Sequence, residues 1–353
     1  MEIDPPLRQA YKDLLMHKKK NQPALPAAAA AAASEIVDEC ELPLIDLRPL
    51  ILAGGSAEER EKCKTEMARA SEEWGFFQVV NHGVSPEILD RMRREQVKAF
   101  KQPFDRKKEE DDKFSAGTYR WGTPTATCLN QLAWSEAFHI PMTDVVSSSS
   151  FDDVNGGGSF NSLRYVSVVL CFLLFSALHE GKSSFASRGG ARIKWSRAGL
   201  YCIISVKKIN IYIPMPPAAA VFGLMPHTDS DFLTILYQDD QVGGLQLVKD
   251  GKCFAVKPNP QALIVNIGDL FQAWSNGVYK SVEHRVVTNP HVERFSTAYF
   301  FCPSYDTEIE SRCEPSIYRK FSFKEYRQQV QEDVGKLGRK VGLSRFTVNA
   351  IYS

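Results

Sequence analysis

The stretch "GLMPHTDSDFLTILYQD" (Gly223–Asp239) sets a histidine and an aspartate two positions apart, immediately ahead of an apolar run. On an extended strand, residues i and i+2 point to the same side, so His227 and Asp229 can address one ion together. Alone, such a pair settles nothing and more often marks two polar residues where a loop enters a strand, because short motifs match by chance. The sequence around it decides between the two.

Downstream come "GLQLV", "CFAVKP", "ALIVNIG", "VEHRVVT" and "RFSTAYFFCP", separated by "QVGG", "KDGK", "GD", "SNG" and "TNP". Short strands at this spacing, with a two-residue hairpin signal at Asp250-Gly251, predict an antiparallel sandwich or barrel of jelly-roll type. Upstream, "ELPLIDL" (41–47) reads as a strand, and Ser56 with Glu59 as a capping box opening a helix to about Glu73. "WGFFQVVNHGV" (74–84) is a buried strand closed at His82-Gly83, and Ser85-Pro86 starts a second helix to about Lys101. Ser322 and Glu325 cap a last helix over about 323–340. The fold class is therefore α+β with a mainly β core, a double-stranded β-helix (jelly roll) with flanking helices and a mixed N-terminal region.

Five segments are expected. Residues 1–37, with "HKKK" and "PALPAAAAAAASE", form a disordered tail; 38–160 is a mixed N-terminal region; 161–209 is an atypical segment; 210–305 is the jelly-roll core; 306–353 is a helical C-terminal region. The 353 residues carry 43 Lys+Arg against 42 Asp+Glu, which excludes a bulk electrostatic case for nucleic acid or an anionic membrane. The apolar block "YVSVVLCFLLFSAL" (165–178) falls short of the about twenty residues a spanning helix needs. Eight cysteines without a Cys-x-x-Cys pair, and no signal peptide, indicate free thiols in a reducing, cytoplasmic compartment.

His284 lies in "VEHRVV" on a later strand of the same sheet system. Two imidazoles and a carboxylate on one face form a facial triad, which leaves open positions on an octahedral ion and suits Fe(II) and oxygen. The plainer alternative for His284 is a core histidine with one hydrogen bond. Ten positions on, Arg294-x-Ser296 is another i, i+2 pair. Pointing inward, Arg294 needs an anionic partner such as a bidentate carboxylate; pointing outward, it is a solvated charge. In "NIYIPMP" (210–216), Asn210 and Tyr212 share a strand face, and Tyr212 is either a phenol for the same carboxylate or an aromatic core residue.

The combination His-x-Asp, about 55 residues, His, ten residues, Arg-x-Ser resembles the Fe(II)/2-oxoglutarate-dependent dioxygenases, and "WGFFQVVNHGV", "HTDSDFLTILYQDDQVGGLQL" (227–247) and "ALIVNIGDLFQAWSNGVYKSVEHRVV" (262–287) resemble their plant soluble branch. Within it, "YRWGTPTATCLNQLAWSEAFHIPMTD" (119–144) and "AYFFCPSYDTEIE" (298–310) are most similar to gibberellin 2-oxidases, in particular those of C20 gibberellins. The resemblance implies Fe(II) held by His227, Asp229 and His284, and 2-oxoglutarate chelating it with its far carboxylate on Arg294, Ser296 and Tyr212. It implies O2 as oxidant, ascorbate as support, and hydroxylation of a gibberellin at C2 by a monomer. Other plant 2-oxoglutarate dioxygenases (a gibberellin 20-oxidase or a flavonoid hydroxylase) and a non-catalytic gibberellin-binding relative are the alternatives. Arg120 and Trp121 are candidates for the substrate pocket. The chain departs from the family in two places. Ile213 and Met215 replace residues of its Asn-x-Tyr-Pro-x-Cys-Pro run, and 165–209 lacks its amphipathic helices, which makes that segment the expected weak part of the protein.

Overall fold

The computed structural model describes residues 3–16, 37–51, 55–111, 119–141, 204–215, 221–311 and 313–348. Fifteen strands are assigned among them: β1 (Glu39–Cys40), β2 (Leu44–Asp46), β3 (Phe76–Val80), β4 (Tyr119–Trp121), β5 (Ser135–Pro141), β6 (Ile204–Tyr212), β7 (Phe222–His227) and β8 (Leu233–Gln238). They continue with β9 (Leu245–Lys249), β10 (Lys252–Val256), β11 (Leu263–Ile267), β12 (His284–Val287), β13 (Arg294–Cys302), β14 (Glu308–Ile309) and β15 (Phe321–Ser322). A major sheet runs β2-β3-β11-β8-β13-β6-β5-β4 and a minor sheet β1-β10-β9-β12-β7, with β14-β15 a separate pair. The interior between the two large sheets is the jelly roll expected from the strand spacing.

Period-2 alternation sorts each central strand between two cores. From β11, Leu263, Val265 and Ile267 join β8's Leu233 and Ile235 in an apolar cluster with Met67, Met92 and Tyr326 of the helices. The alternate residues face inward, where Phe76, Tyr212, Leu245, Leu247, Val256, Ile264 and Val286 form an inner cluster. Because both faces of the major sheet are covered, its strands read as nearly continuous apolar runs. The polar residues that interrupt those runs on the inner face mark the functional interior.

The predicted ends hold. Helix Ala57–Glu73 begins with a complete Ser56/Glu59 capping box, and helix Pro86–Phe100 with Ser85 accepting from the Ile88 amide. In the β9–β10 hairpin, Asp250 and Gly251 both take positive φ, 51° and 76°, as the favoured two-residue turn requires. Helix Phe323–Leu337 starts at Ser322 and stops at Gly338, whose φ of 68° is the left-handed cap.

Within the expected disordered tail, the described residues 3–16 are a correction. Residues 7–10 and 12–16 are helical, and Leu7 and Tyr11 are buried against Leu129, Leu132, Trp134, Met215 and Val221. Composition over 1–37 concealed this, because two apolar side chains one helical turn apart suffice to dock a short amphipathic piece. The same cluster accounts for the unusual "IPM": Met215 is one of its buried members and Ile213 packs against it. The atypical segment lies outside the described residues up to 203, and its end enters β6. Among the described residues no helix is long and apolar enough to cross a membrane.

Candidate functional site

His227 is the last residue of β7 and His284 the first of β12, and the two stand opposite each other in the antiparallel register. Their rings lie 4.3 Å apart between centroids. Asp229 completes the group: its Oδ1 is 3.6 Å from His227 Nε2 and 3.8 Å from His284 Nε2. Candidate ligand atoms of all three lie within 4.8 Å of one another.

The strand argument for the first pair needs amending. β7 ends at His227, and Asp229 stands in the loop leading to β8, so alternation along a strand does not bring them together. The loop does so by being fastened. The amides of Gly268, Asp269 and Leu270, at the start of helix Asp269–Trp274, donate to the carbonyls of Phe232, Asp229 and Asp231. These are helix-terminal amides that have no partner within their own helix.

Each imidazole is oriented by a carbonyl, which can only accept. His227 Nδ1–H donates to Met225 O at 2.7 Å, and His284 Nδ1–H to Val282 O at 3.0 Å. Both Nε2 lone pairs are thereby left for a cation, the outer-shell arrangement common to metal-binding histidines. The two Asp229 oxygens divide the work. Oδ2 accepts from Thr234 Oγ1 at 2.5 Å and Asn266 Nδ2 at 2.7 Å, while Oδ1 faces the imidazoles and is available as a single ligand atom. Burial favours protonation of Asp229, but His284, His227 and Thr234 outweigh it and hold the carboxyl well below its usual range. Burial, aided by His227, pushes His284 down to about 4 despite the Asp229 charge. Asp231, fully buried beside Asp229, is pushed well above the usual carboxylate range by burial and that neighbouring charge.

The depressed His284 gives a pH prediction. Its folded value lies below its unfolded one, so the neutral ring is favoured by folding. That contribution is whole above about pH 6.5 and is lost as pH falls toward 4. In metal-free protein, the stability difference between wild type and His284→Gln should therefore shift against wild type by on the order of 2 kcal/mol between pH 7 and pH 5. Urea unfolding of both proteins at both pH values measures this, and a difference independent of pH would contradict it.

Across the interior, Arg294 pairs in register with Tyr212, Ser296 with Asn210 on one side and Gln238 on the other. All five residues therefore face inward and are buried. Arg294, only 1% exposed, donates from Nη2 to Gln238 Oε1 at 3.1 Å, while its Nε and Nη1 have no partner. Gln238 Nε2 is likewise unpartnered. Ser296 Oγ accepts from Asn210 Nδ2 at 3.3 Å and lies 3.5 Å from the Tyr212 hydroxyl. Burial lowers the Arg294 guanidinium, against the pull of Tyr212 and Asp239. A buried cation with unspent donors fits a carboxylate ligand. Gly244 permits this crowding: a Cβ there would stand 2.7 Å from Val287 O and 3.2 Å from Arg294 Cδ.

Sequence reasoning missed Thr234, Asn266 and Gln238. Asn266 carried a signal, as the single polar residue within "LIVNI", a strand buried at every position. Trp121 makes ring contacts to Tyr11 and Phe104 and packs against the clusters of Leu7 and of Phe100.

A triad able to hold a cation, an inward arginine awaiting a carboxylate and a jelly roll around both define an oxygenase class. Residues 203–303 match the 2OG-Fe(II) oxygenase superfamily, and 42–153 match the non-haem dioxygenase in morphine synthesis N-terminal family. The chain belongs to the 2OG-Fe(II) oxygenase superfamily and is a 2-oxoglutarate-dependent dioxygenase whose cofactors are Fe(II) and 2-oxoglutarate. It is 53% identical to gibberellin 2-beta-dioxygenase 8 of Arabidopsis thaliana over 99% of this chain and 100% of that protein. Gibberellin 2-beta-dioxygenase 6 of Oryza sativa subsp. japonica is 45% identical over 98% of this chain and 96% of its own length. Among solved structures, JOX2 in complex with 2OG, Fe and JA is similar with a TM-score of 0.64 and 30% identity, over 92% of this chain and 94% of that one.

Proposed function

We propose that this protein is a gibberellin 2-beta-dioxygenase that hydroxylates C2 of its substrate, with C20 gibberellins preferred. The observation that carries the reading is similarity along almost the whole chain to gibberellin 2-beta-dioxygenases. The preference for C20 forms rests on the resemblance of 119–144 and 298–310.

In this reading His227 Nε2, Asp229 Oδ1 and His284 Nε2 hold Fe(II), and Arg294, Ser296 and Tyr212 take the far carboxylate of 2-oxoglutarate. Bound together, the iron and co-substrate supply the oxidising power: O2 is consumed, 2-oxoglutarate leaves as succinate and CO2, and one oxygen atom enters a C–H bond. The remaining work belongs to the chain. Met225 and Val282 carbonyls keep the imidazole protons on Nδ1, so that Nε2 stays a ligand. Thr234 and Asn266 keep Asp229 ionised and turned to the metal through Oδ1. Leu245, Leu247, Ile264 and Val286 line the inter-sheet space with groups that exclude water. Product formation during a reactive cycle depends on that dryness.

The setting we propose is a cytoplasmic monomer acting on a small molecule, with neither nucleic acid nor membrane as partner. Six described cysteines are free thiols, as suits a reducing compartment. Incubation of the purified protein with Fe(II), 2-oxoglutarate, ascorbate and separate C19 and C20 gibberellins, with products resolved by mass spectrometry, tests the reading. A 2-beta-hydroxylated product is expected, larger in yield from C20 substrates. Oxidation at C20, or turnover of flavonoids alone, would refute it.

A further inference from the structure

The loop that carries Asp229 is fastened by a residue from the far end of the chain. Lys340 follows the left-handed cap at Gly338, and its ammonium donates to Thr228 O at 2.9 Å and Ser230 Oγ at 2.8 Å. It also pairs with Asp269 Oδ2 at 2.7 Å, the two side chains being 13% and 4% exposed. Three acceptors satisfy all three ammonium protons, which a nearly buried charge requires.

The hub is built around that pairing. Asp269 Oδ2 also accepts from Thr228 Oγ1 at 3.1 Å and from the buried Tyr326 hydroxyl. Gly342, at φ 72°, passes so close that a Cβ would stand 3.3 Å from the same oxygen. The tail after helix Phe323–Leu337 is thus shaped to place Lys340 at this spot.

What the contacts restrain is specific. Two peptide groups flank the Asp229 Cα, and their orientations set its φ and ψ. The following one is fixed by Asp269 N–H donating to Asp229 O. The preceding one, whose carbonyl belongs to Thr228, is fixed by Lys340, 112 positions away. Thr234 and Asn266 then fix the side chain. Remove Lys340, and the backbone that aims Oδ1 loses one of its two anchors while the co-substrate end, built from Arg294, Ser296 and Tyr212, is untouched.

We propose that Lys340 is a positioning residue of the metal site, holding the Thr228–Asp229 peptide so that the C-terminal tail sets the affinity and geometry of the His227–Asp229–His284 centre. The proposal rests on the reading of those three residues as ligands. It is tested on full-length, metal-free protein titrated with Co(II), whose visible spectrum reports ligand geometry independently of turnover. Lys340→Met should weaken Co(II) by about tenfold or more, the scale of losing an outer-shell partner, with an altered spectrum. Lys340→Arg, which keeps the charge and donors, should recover part of the lost affinity and move the spectrum back toward wild type. A Lys340→Met protein that loses only thermal stability, with Co(II) affinity and spectrum unchanged, overturns the proposal. Should that variant not fold, Lys340→Ala removes the donor with less bulk, and wild-type Co(II) affinity and spectrum in it overturn the proposal equally. His227→Ala is the control for the triad itself: wild-type Co(II) binding there would show that the ligand reading, rather than the role of Lys340, had failed.

Discussion

Alanine at His227, Asp229 or His284 is expected to reduce turnover to background, with Fe(II) binding lost in parallel. Each residue supplies one atom to a group whose candidate ligand atoms lie within 4.8 Å of one another, and two ligands cannot hold the ion with the right positions left open. The three variants should differ in how they fail. Asp229→Ala also strands the buried Asn266 Nδ2, which donates to its Oδ2, whereas Thr234 Oγ1 still has Asp231 Oδ2 at 3.0 Å, so it should lose stability as well. His227, more exposed than its partners at 27% of its side chain, should lose the metal at smaller structural cost. Near wild-type activity in any one variant at saturating iron would refute the ligand assignment.

The second large effect is at Arg294. Lysine there keeps the charge but loses the planar fork that matches a carboxylate at two points. It also loses the Nη2 bond to Gln238, returning a buried amide oxygen to the unsatisfied state. The expected cost to 2-oxoglutarate binding is about 1.5–3 kcal/mol, the scale of a hydrogen bond to a charged group, or roughly tenfold to a hundredfold in dissociation constant. Gibberellin binding should change little. Titration of each ligand separately against Arg294→Lys checks this, and weakened gibberellin with unchanged 2-oxoglutarate would reverse the assignment.

How much of this was legible beforehand differs from residue to residue. The capping box at Ser56 and the Asp250-Gly251 turn were readable because their causes lie within a few residues. So was the alternation that places Arg294 and Ser296 on one face, although the choice between inside and outside needed Tyr212 and Gln238 to be seen across the sheet. His227 and Asp229 were paired correctly for an incomplete reason. Strand alternation suggested them, whereas the actual arrangement depends on helix-terminal amides and on Lys340. The amide of Asp269 reaches Asp229 from another element, and Lys340 reaches Thr228 from 112 positions away, so no local pattern encodes these contacts. The N-terminal helices were hidden differently: an alanine-rich, basic composition outweighed the spacing of Leu7 and Tyr11, whose partners in 129–134 and around Met215 were not visible from the tail itself.

The most direct test of the central claim measures succinate and hydroxylated gibberellin together, from one reaction of full-length protein with Fe(II), 2-oxoglutarate and a C20 gibberellin. The account predicts the two products in equal amounts, with the new hydroxyl at C2, and neither product from Asp229→Ala. Succinate formed without a C2-hydroxylated gibberellin, or both products persisting in Asp229→Ala, would contradict it.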